Sequence, residues 1–209
     1  MFNRPTALYK NMTAKKDPAS EPGKDGRVMR SERSRLALID AAYQIMEASA
    51  VVPTAQTIAD AAGVTIRTLF RHFPEMDLLY RELHLRVQQN YAKEYDKGDR
   101  TGSLEARVES AVETFTNAYS KQRNVFLVTK SMLPTSVFLQ KNYSLVQKRF
   151  SDRLLEWIPE LAKLPTERHE GVDALLSFEF WHRLNVIQGV SKKRTVALTK
   201  RLILDLLAE

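Results

Sequence analysis

At 209 residues, 44% hydrophobic and 27% charged, the chain can bury a sizeable core in one or two domains, and its composition is that of an ordinary soluble protein. It contains no cysteine, which excludes disulfides and thiolate metal sites, and no apolar run approaches the roughly 20 residues of a membrane helix. The net charge is +7, and nine basic residues face four acidic ones up to Arg35, so the excess is concentrated at the front, where it favours a polyanion such as DNA. Residues 1–30 hold Pro5, Pro18, Pro22, Gly23 and Gly26 with few apolar side chains, and read as a flexible basic arm. Its end reads equally as an idle tail or as a segment that orders on DNA through Arg30, Arg33 and Arg35. No apolar stretch follows the basic residue of MFNRPTALYK, so no secretory signal is expected and a cytoplasmic protein is.

Helical periodicity begins near residue 31, where Leu36, Ile39, Tyr43 and Met46 form one stripe and Ala41 and Ala42 allow close packing. Residues 54–73, TAQTIADAAGVTIRTLFRHF, then predict two short helices across a tight turn. Thr54 is an N-cap, Ile58, Ala59 and Ala62 form an apolar face, and Gly63 supplies a left-handed C-cap. Val64 plugs the turn, Thr65 caps the second helix, and Leu69 and Phe73 recur four residues apart behind it. Such spacing describes a helix-turn-helix in a head spanning 31–76. Ile66, Arg67, Thr68, Arg71 and His72 are left on the outer face. Arginine can read guanine bidentately, and threonine can bond phosphate or touch a thymine methyl. The bland alternative is a helical hairpin with a solvated basic face.

Residues 33–83 resemble the DNA-binding domain of the TetR family of bacterial transcriptional regulators. The likeness is carried by Ile39-Asp40-Ala41-Ala42, Thr54, Ile58-Ala59, Ala62-Gly63-Val64, Thr68-Leu69-Phe70, His72-Phe73-Pro74 and Leu79. It implies a DNA-contacting set of Arg33, Thr54, Thr65, Ile66, Arg67, Thr68, Phe70, Arg71 and His72. Phe70 stands where the family usually has a tyrosine, and Met76 where it usually has a lysine. Both changes remove a phosphate contact, which bears on affinity and register rather than on sequence choice.

Residues 77–209 read as a helical body. A fourth helix starts at Pro74 and carries Leu78, Leu79, Leu83, Val87 and Tyr91 to about Tyr95, reaching from head to body as a lever. After a polar loop at 97–102, Ser103 caps a fifth helix with Leu104, Val108, Ala111, Val112, Phe115 and Tyr119 on one side. A short sixth covers 125–133, and a seventh runs from about Thr135 to the break at Pro159. The eighth, 166–189, and the ninth, 191–208, have apolar faces too wide for one neighbour. A second copy is expected to cover the surplus through Leu176, Phe180, Leu184, Ile187, Leu198, Leu202 and Leu206, giving a four-helix homodimer interface. A fully internal pair in a monomer is the alternative. No strand-like alternation occurs, so the fold class is all-α with about nine helices.

Little points to catalysis. His72, His84, His169 and His182 have no ligand spacing, and GxSxG and GxGxxG are absent. No enzyme activity, cofactor or metal is expected. The resemblance implies a small-molecule effector held in the body, and Phe115, Tyr119, Phe126, Met132, Phe138, Tyr143, Phe178 and Trp181 suit an apolar or aromatic one, although ordinary packing accounts for each singly. The expectation is a dimeric, sequence-specific DNA-binding regulator, a repressor released by its effector, on a near-palindromic double-stranded operator. A nucleoid-type DNA-binding protein without effector, and an enzyme using the helical body, are the rivals.

Overall fold

The computed structural model describes residues 22–208, and every regular element among them is helical. The elements are α1 (Pro22–Ala48), α2 (Ala55–Ala61), α3 (Ile66–His72), α4 (Met76–Tyr95), α5 (Leu104–Met132), α6 (Val137–Trp157), a 3-10 turn (Pro159–Lys163), α7 (Thr166–Leu175), α8 (Phe178–His182, continued by a π-helical turn, Arg183–Ile187) and α9 (Lys192–Leu207). Residues 1–21 of the expected arm lie outside the described residues. Residues 22–30 are helical rather than an arm, because α1 begins at Pro22, where a missing N–H and a fixed φ cost least.

Two hydrophobic cores organise the chain. The first gathers Leu38, Ile39, Ala42, Met46, Ile58, Ala59, Leu69, Phe73, Leu79 and Leu83 around the helix-turn-helix. The buried face of α1 is therefore Leu38, Ile39, Ala42 and Met46, and Leu36, expected on it, is 50% exposed. The second gathers Tyr91, Tyr95, Val108, Val112, Phe115, Tyr119, Leu154, Trp157, Val172, Phe178, Trp181 and Ile203. Helix α4 serves both, with Leu79 and Leu83 in the first and Tyr91 and Tyr95 in the second.

The expected fifth and sixth helices are one element. Helix α5 runs on through Gln122, whose φ of −107° and ψ of 16° kink it without ending it. Before the kink, Val108 to Tyr119 face the body core; after it, Val125, Val128 and Met132 face the head core. The expected eighth helix is instead two. Leu176 ends α7, and Ser177 starts α8 by accepting a bond from the amide of Phe180 at 3.2 Å. A dense run of apolar residues hid that cap.

The end of the body remote from the head is clamped. Arg100 lies 4.4 Å over the ring of Trp157 and donates to the carbonyls of Tyr95 and Gly98, both at 3.1 Å. Arg107 donates to the carbonyl of Trp157 at 2.7 Å and pairs with Glu160. Arg153 bonds Asp96 at 2.7 Å and lies 5.5 Å over Tyr95. Gly98 is the residue that lets the α4–α5 loop close onto this group, since a Cβ there would stand 1.8 Å from the fully buried Trp157 ring. Gly98→Ala should lower stability by about 1–3 kcal/mol, the usual cost of overpacking; urea unfolding followed by far-UV circular dichroism measures it.

Candidate nucleic-acid interface

The helix-turn-helix is built by its caps. Thr54 accepts from the Thr57 amide at 3.1 Å and Thr65 from the Thr68 amide at 3.2 Å, so each short helix starts with an orphan donor satisfied. Between them, the amides of Gly63 and Val64 donate to the carbonyls of Asp60 (3.1 Å) and Ala59 (3.0 Å), the paired bonds of a Schellman stop. That stop needs the left-handed φ of +66° at Gly63. Val64 then packs on the head core together with Ala62, and buried Ala59 leaves room for the close approach of α2 and α3. Seven-residue helices are too short to persist alone; Leu69, fully buried, and Phe73, 2% exposed, fix α3 on the core.

With that face anchored, Ile66, Arg67, Phe70 and Arg71 are exposed and Thr68 is half-buried. Thr54, Thr65 and Arg33 are exposed too. Phe70, 42% exposed, presents a bare ring where a tyrosine would present a hydroxyl, and Met76 packs against the head core. His72 is placed differently from the expectation. It is half-buried, with Nε2 enclosed and lacking a protein partner, because the last turn of α3 leans on the core beside Phe73. Burial, with Arg71 and Arg35 nearby, pushes its pKa down, so the imidazole adds no charge to the outer face at neutral pH. Arg35 is also turned to structure, pairing with Glu82 of α4 at 2.8 Å and lying 5.7 Å from the Phe73 ring centre.

Of the eight residues expected around an effector, the structure brings five together. Phe126 and Phe178 stack at 4.8 Å, Tyr119 meets both edge-on at 5.4 and 5.7 Å, and Trp181 is 5.7 Å from Phe178. Phe115 joins through Tyr119 at 6.2 Å. Met132 is elsewhere, in the head core, because after its kink α5 turns the face of Val125, Val128 and Met132 to the head while Phe126 stays on the body side. Phe138 packs on the same core, edge-on to His84 at 5.5 Å. Tyr143 is half-buried on α6, near Glu179 and Lys130, outside the ring cluster. Three aromatics were missed: Tyr91, Tyr95 and Phe150, with Tyr91 4.6 Å from Phe150 and Tyr95 4.2 Å from Phe115. Tyr91 and Phe150 belong to the apolar stripes of their helices, and Tyr95 follows Tyr91 by one turn, so helical spacing alone could have found them.

This cluster is closely packed. A void beside Phe115, Tyr119, Trp181, Thr195 and Thr199 has about 10 Å³, room for a single water. Tyr119 donates to the Leu176 carbonyl at 2.7 Å, whereas the Trp181 Nε1 and the Tyr95 hydroxyl are buried without a protein partner. Burial pushes the phenols of Tyr91, Tyr95 and Tyr119 well up, so all three stay neutral. On the outside, Lys130 of α5 pairs with Glu179 of α8.

The expected dimer face is divided. Leu176 belongs to the body core and Leu184 is 7% exposed, so both are already covered by their own chain. Phe180, Leu198 and Leu202 are half-buried without joining that core, and Ile187 is 65% exposed. Leu206 shares the core with the floor of a groove of about 540 Å³ that Phe180, Leu202, Leu175 and Gly171 also line. Among the described residues no group of three or more His, Cys, Asp or Glu could hold a metal ion, and no helix is long and apolar enough to cross a membrane.

No family model matches the chain. An uncharacterized HTH-type transcriptional regulator of Haemophilus influenzae is 28% identical over 139 residues, a match that covers 63% of this chain and 66% of that protein, just under two thirds of its length. Among solved structures, a transcriptional regulator from Rhodococcus sp. Rha1 is similar with a TM-score of 0.63 at 16% identity, over 85% of this chain and 96% of that one. A TetR-family transcriptional regulator from Streptomyces coelicolor is similar with a TM-score of 0.62 at 19% identity, over 84% and 79%. The chain thus has the fold of TetR-family regulators, and all three of these relatives are transcriptional regulators.

The depressed pKa of His72 has a consequence for stability. The unfolded chain holds its proton more tightly than the folded one, so stability is full where the imidazole is neutral in both states. It should fall as pH drops from about 7 to 5, through the range where free imidazole titrates. His84, also shifted down by burial and by Arg149, adds to the slope. His72→Gln should flatten it in part; urea midpoints across that pH range provide the check.

Proposed function

We infer that this protein is a DNA-binding transcriptional regulator of the TetR type, acting as a homodimer whose two α3 helices enter successive major grooves of a near-palindromic operator. The observation that carries the reading is the capped helix-turn-helix: one face of α3 is locked onto the head core, and the opposite face presents Arg67, Arg71, Ile66 and Thr68. Arg67 and Arg71 are suited to base edges, and Thr54, Thr65 and Arg33 to phosphates. His72 is left out, being turned inward.

Dimerisation is assigned to the outward side of α8 and α9, where Phe180, Ile187, Leu198 and Leu202 present an apolar surface that their own core does not use. A small-molecule effector, apolar or aromatic, is assigned to the ring cluster of Phe115, Tyr119, Phe126, Phe178 and Trp181. The cluster is filled by its own side chains, so an effector would enter by displacing rings. It acts only if it binds the DNA-incompetent arrangement of the heads more tightly than the competent one. The route from cluster to head is α4, α5 and α6, which have side chains in both cores.

Selection of binding sites from random duplex tests the reading: an inverted-repeat consensus supports it, and recovery of sequences without a consensus refutes it. Arg67→Ala should relax discrimination against one operator base pair by about 1–3 kcal/mol, the worth of a bidentate base contact, measured on operator variants at fixed salt. Leu202→Glu should give monomers in light scattering, with operator binding much weakened, because two half-sites are no longer held by one particle.

A further inference from the structure

Among the described residues, no other element packs against the front of α1. Every residue from Gly26 to Arg33 is exposed, and the first buried residue of the helix is Leu38. Two turns or more therefore project beyond the head core. Exposed on all sides, they gain nothing from tertiary packing, the usual source of helical stability. Their charged residues are Arg27, Arg30 and Arg33 against the single acid Glu32, which is engaged with Arg35 at 3.3 Å, and they also expose the apolar Val28 and Met29.

Their position is fixed by the root of the projection. Arg35 lies over Phe73, the residue that ends α3, and Arg35 and Glu32 both act on the charge of His72. The projecting turns thus leave the head from beside the C-terminal end of the helix that presents Arg67 and Arg71. At 1.5 Å per residue, the nine residues from 26 to 34 extend about 13 Å past that point, close to four phosphate spacings along each strand of a duplex at about 3.4 Å each. Arg30 leans along the helix, with Nε donating to the Gly26 carbonyl at 3.0 Å, which keeps its guanidinium on the same stretch.

We propose that the α1 projection is a second, sequence-independent DNA-binding element, with Arg27 and Arg30 extending the contact of Arg33 onto phosphates flanking the half-site read by α3. The proposal rests on the regulator reading for the placement of α3. It commits to phosphate as the recognised chemistry, since three guanidinium groups on solvated turns, with no apolar pocket, offer charge and little shape.

Salt dependence separates this from an idle extension. In the full-length protein, Arg27→Gln with Arg30→Gln keeps good helix formers while removing two charges per protomer. If each guanidinium meets a phosphate, the slope of log K against log salt should become shallower by about two to four for the dimer, at roughly 0.9 per contact. The ratio of operator to mutated-operator affinity should stay the same, and Arg27→Lys with Arg30→Lys should keep most of the slope. A slope within about 0.5 of the wild type, less than one contact, would overturn the proposal, as would a collapse of the operator ratio, which would make these residues base readers. The same titration on arbitrary duplex decides the matter even if site selection yields no consensus, so the two readings fail separately.

Discussion

The constraint on which this structure depends is that three helices belong to two cores at once. Leu79 and Leu83 commit α4 to the head, while Tyr91 and Tyr95 commit it to the body; Phe115 and Tyr119 commit the first half of α5 to the body, while its second half faces both, with Val125, Val128 and Met132 on the head and Phe126 on the body; Leu139 commits the start of α6 to the head, while Leu154 and Trp157 commit its end to the body. A straight α5 would have to keep one apolar face along all 29 residues. The kink at Gln122 releases it from that requirement. The joint is held by polar bonds, with Asn124 donating to the Glu47 carbonyl at 2.9 Å and Ser136 donating to Asp77 at 2.7 Å. Cores are close-packed and resist gradual deformation, so under the proposed effector reading a change in the ring cluster would be passed on as movement of whole helices.

The head was legible because its determinants are local. Thr54, Gly63, Val64 and Thr65 act on amides and carbonyls within a few residues, and each does in the structure what its spacing implied. Leu69 and Phe73 mark the inner face of α3, so its outer face followed by subtraction. His72 did not follow, because its side depends on how the last turn leans against Phe73. The front of α1 was hidden by composition: Pro22, Gly23 and Gly26 look like an arm, and a helix without an apolar face leaves no periodic mark.

The body was legible as helices but not as a site. Its aromatic residues could be enumerated, yet sorting Met132 and Phe138 into the head core required knowing that α5 turns one face to the head after Gln122 and that α6 starts against the head, decisions made by packing from both ends. The same holds for α7 and α8, where Ser177 caps a new helix inside a run apolar enough to read as one. Leu176 then turns inward and Phe180 outward, although both lie on what looked like a single wide face.

The arginine clamp around Trp157 gives the molecule a fulcrum. Arg100, Arg107 and Arg153 tie the far tip of α4 to the loop after it and to the end of α6, while Gly98 lets backbone and indole touch without slack. If α4 moves in the proposed switching, these ties favour rotation about this end over sliding. Over its 20 residues, about 30 Å at the α-helical rise, a tilt of roughly 5° carries the opposite tip through about 2.6 Å. On the proposed reading, such leverage would turn the swing of one aromatic ring into a displacement comparable with the rise of a DNA base pair.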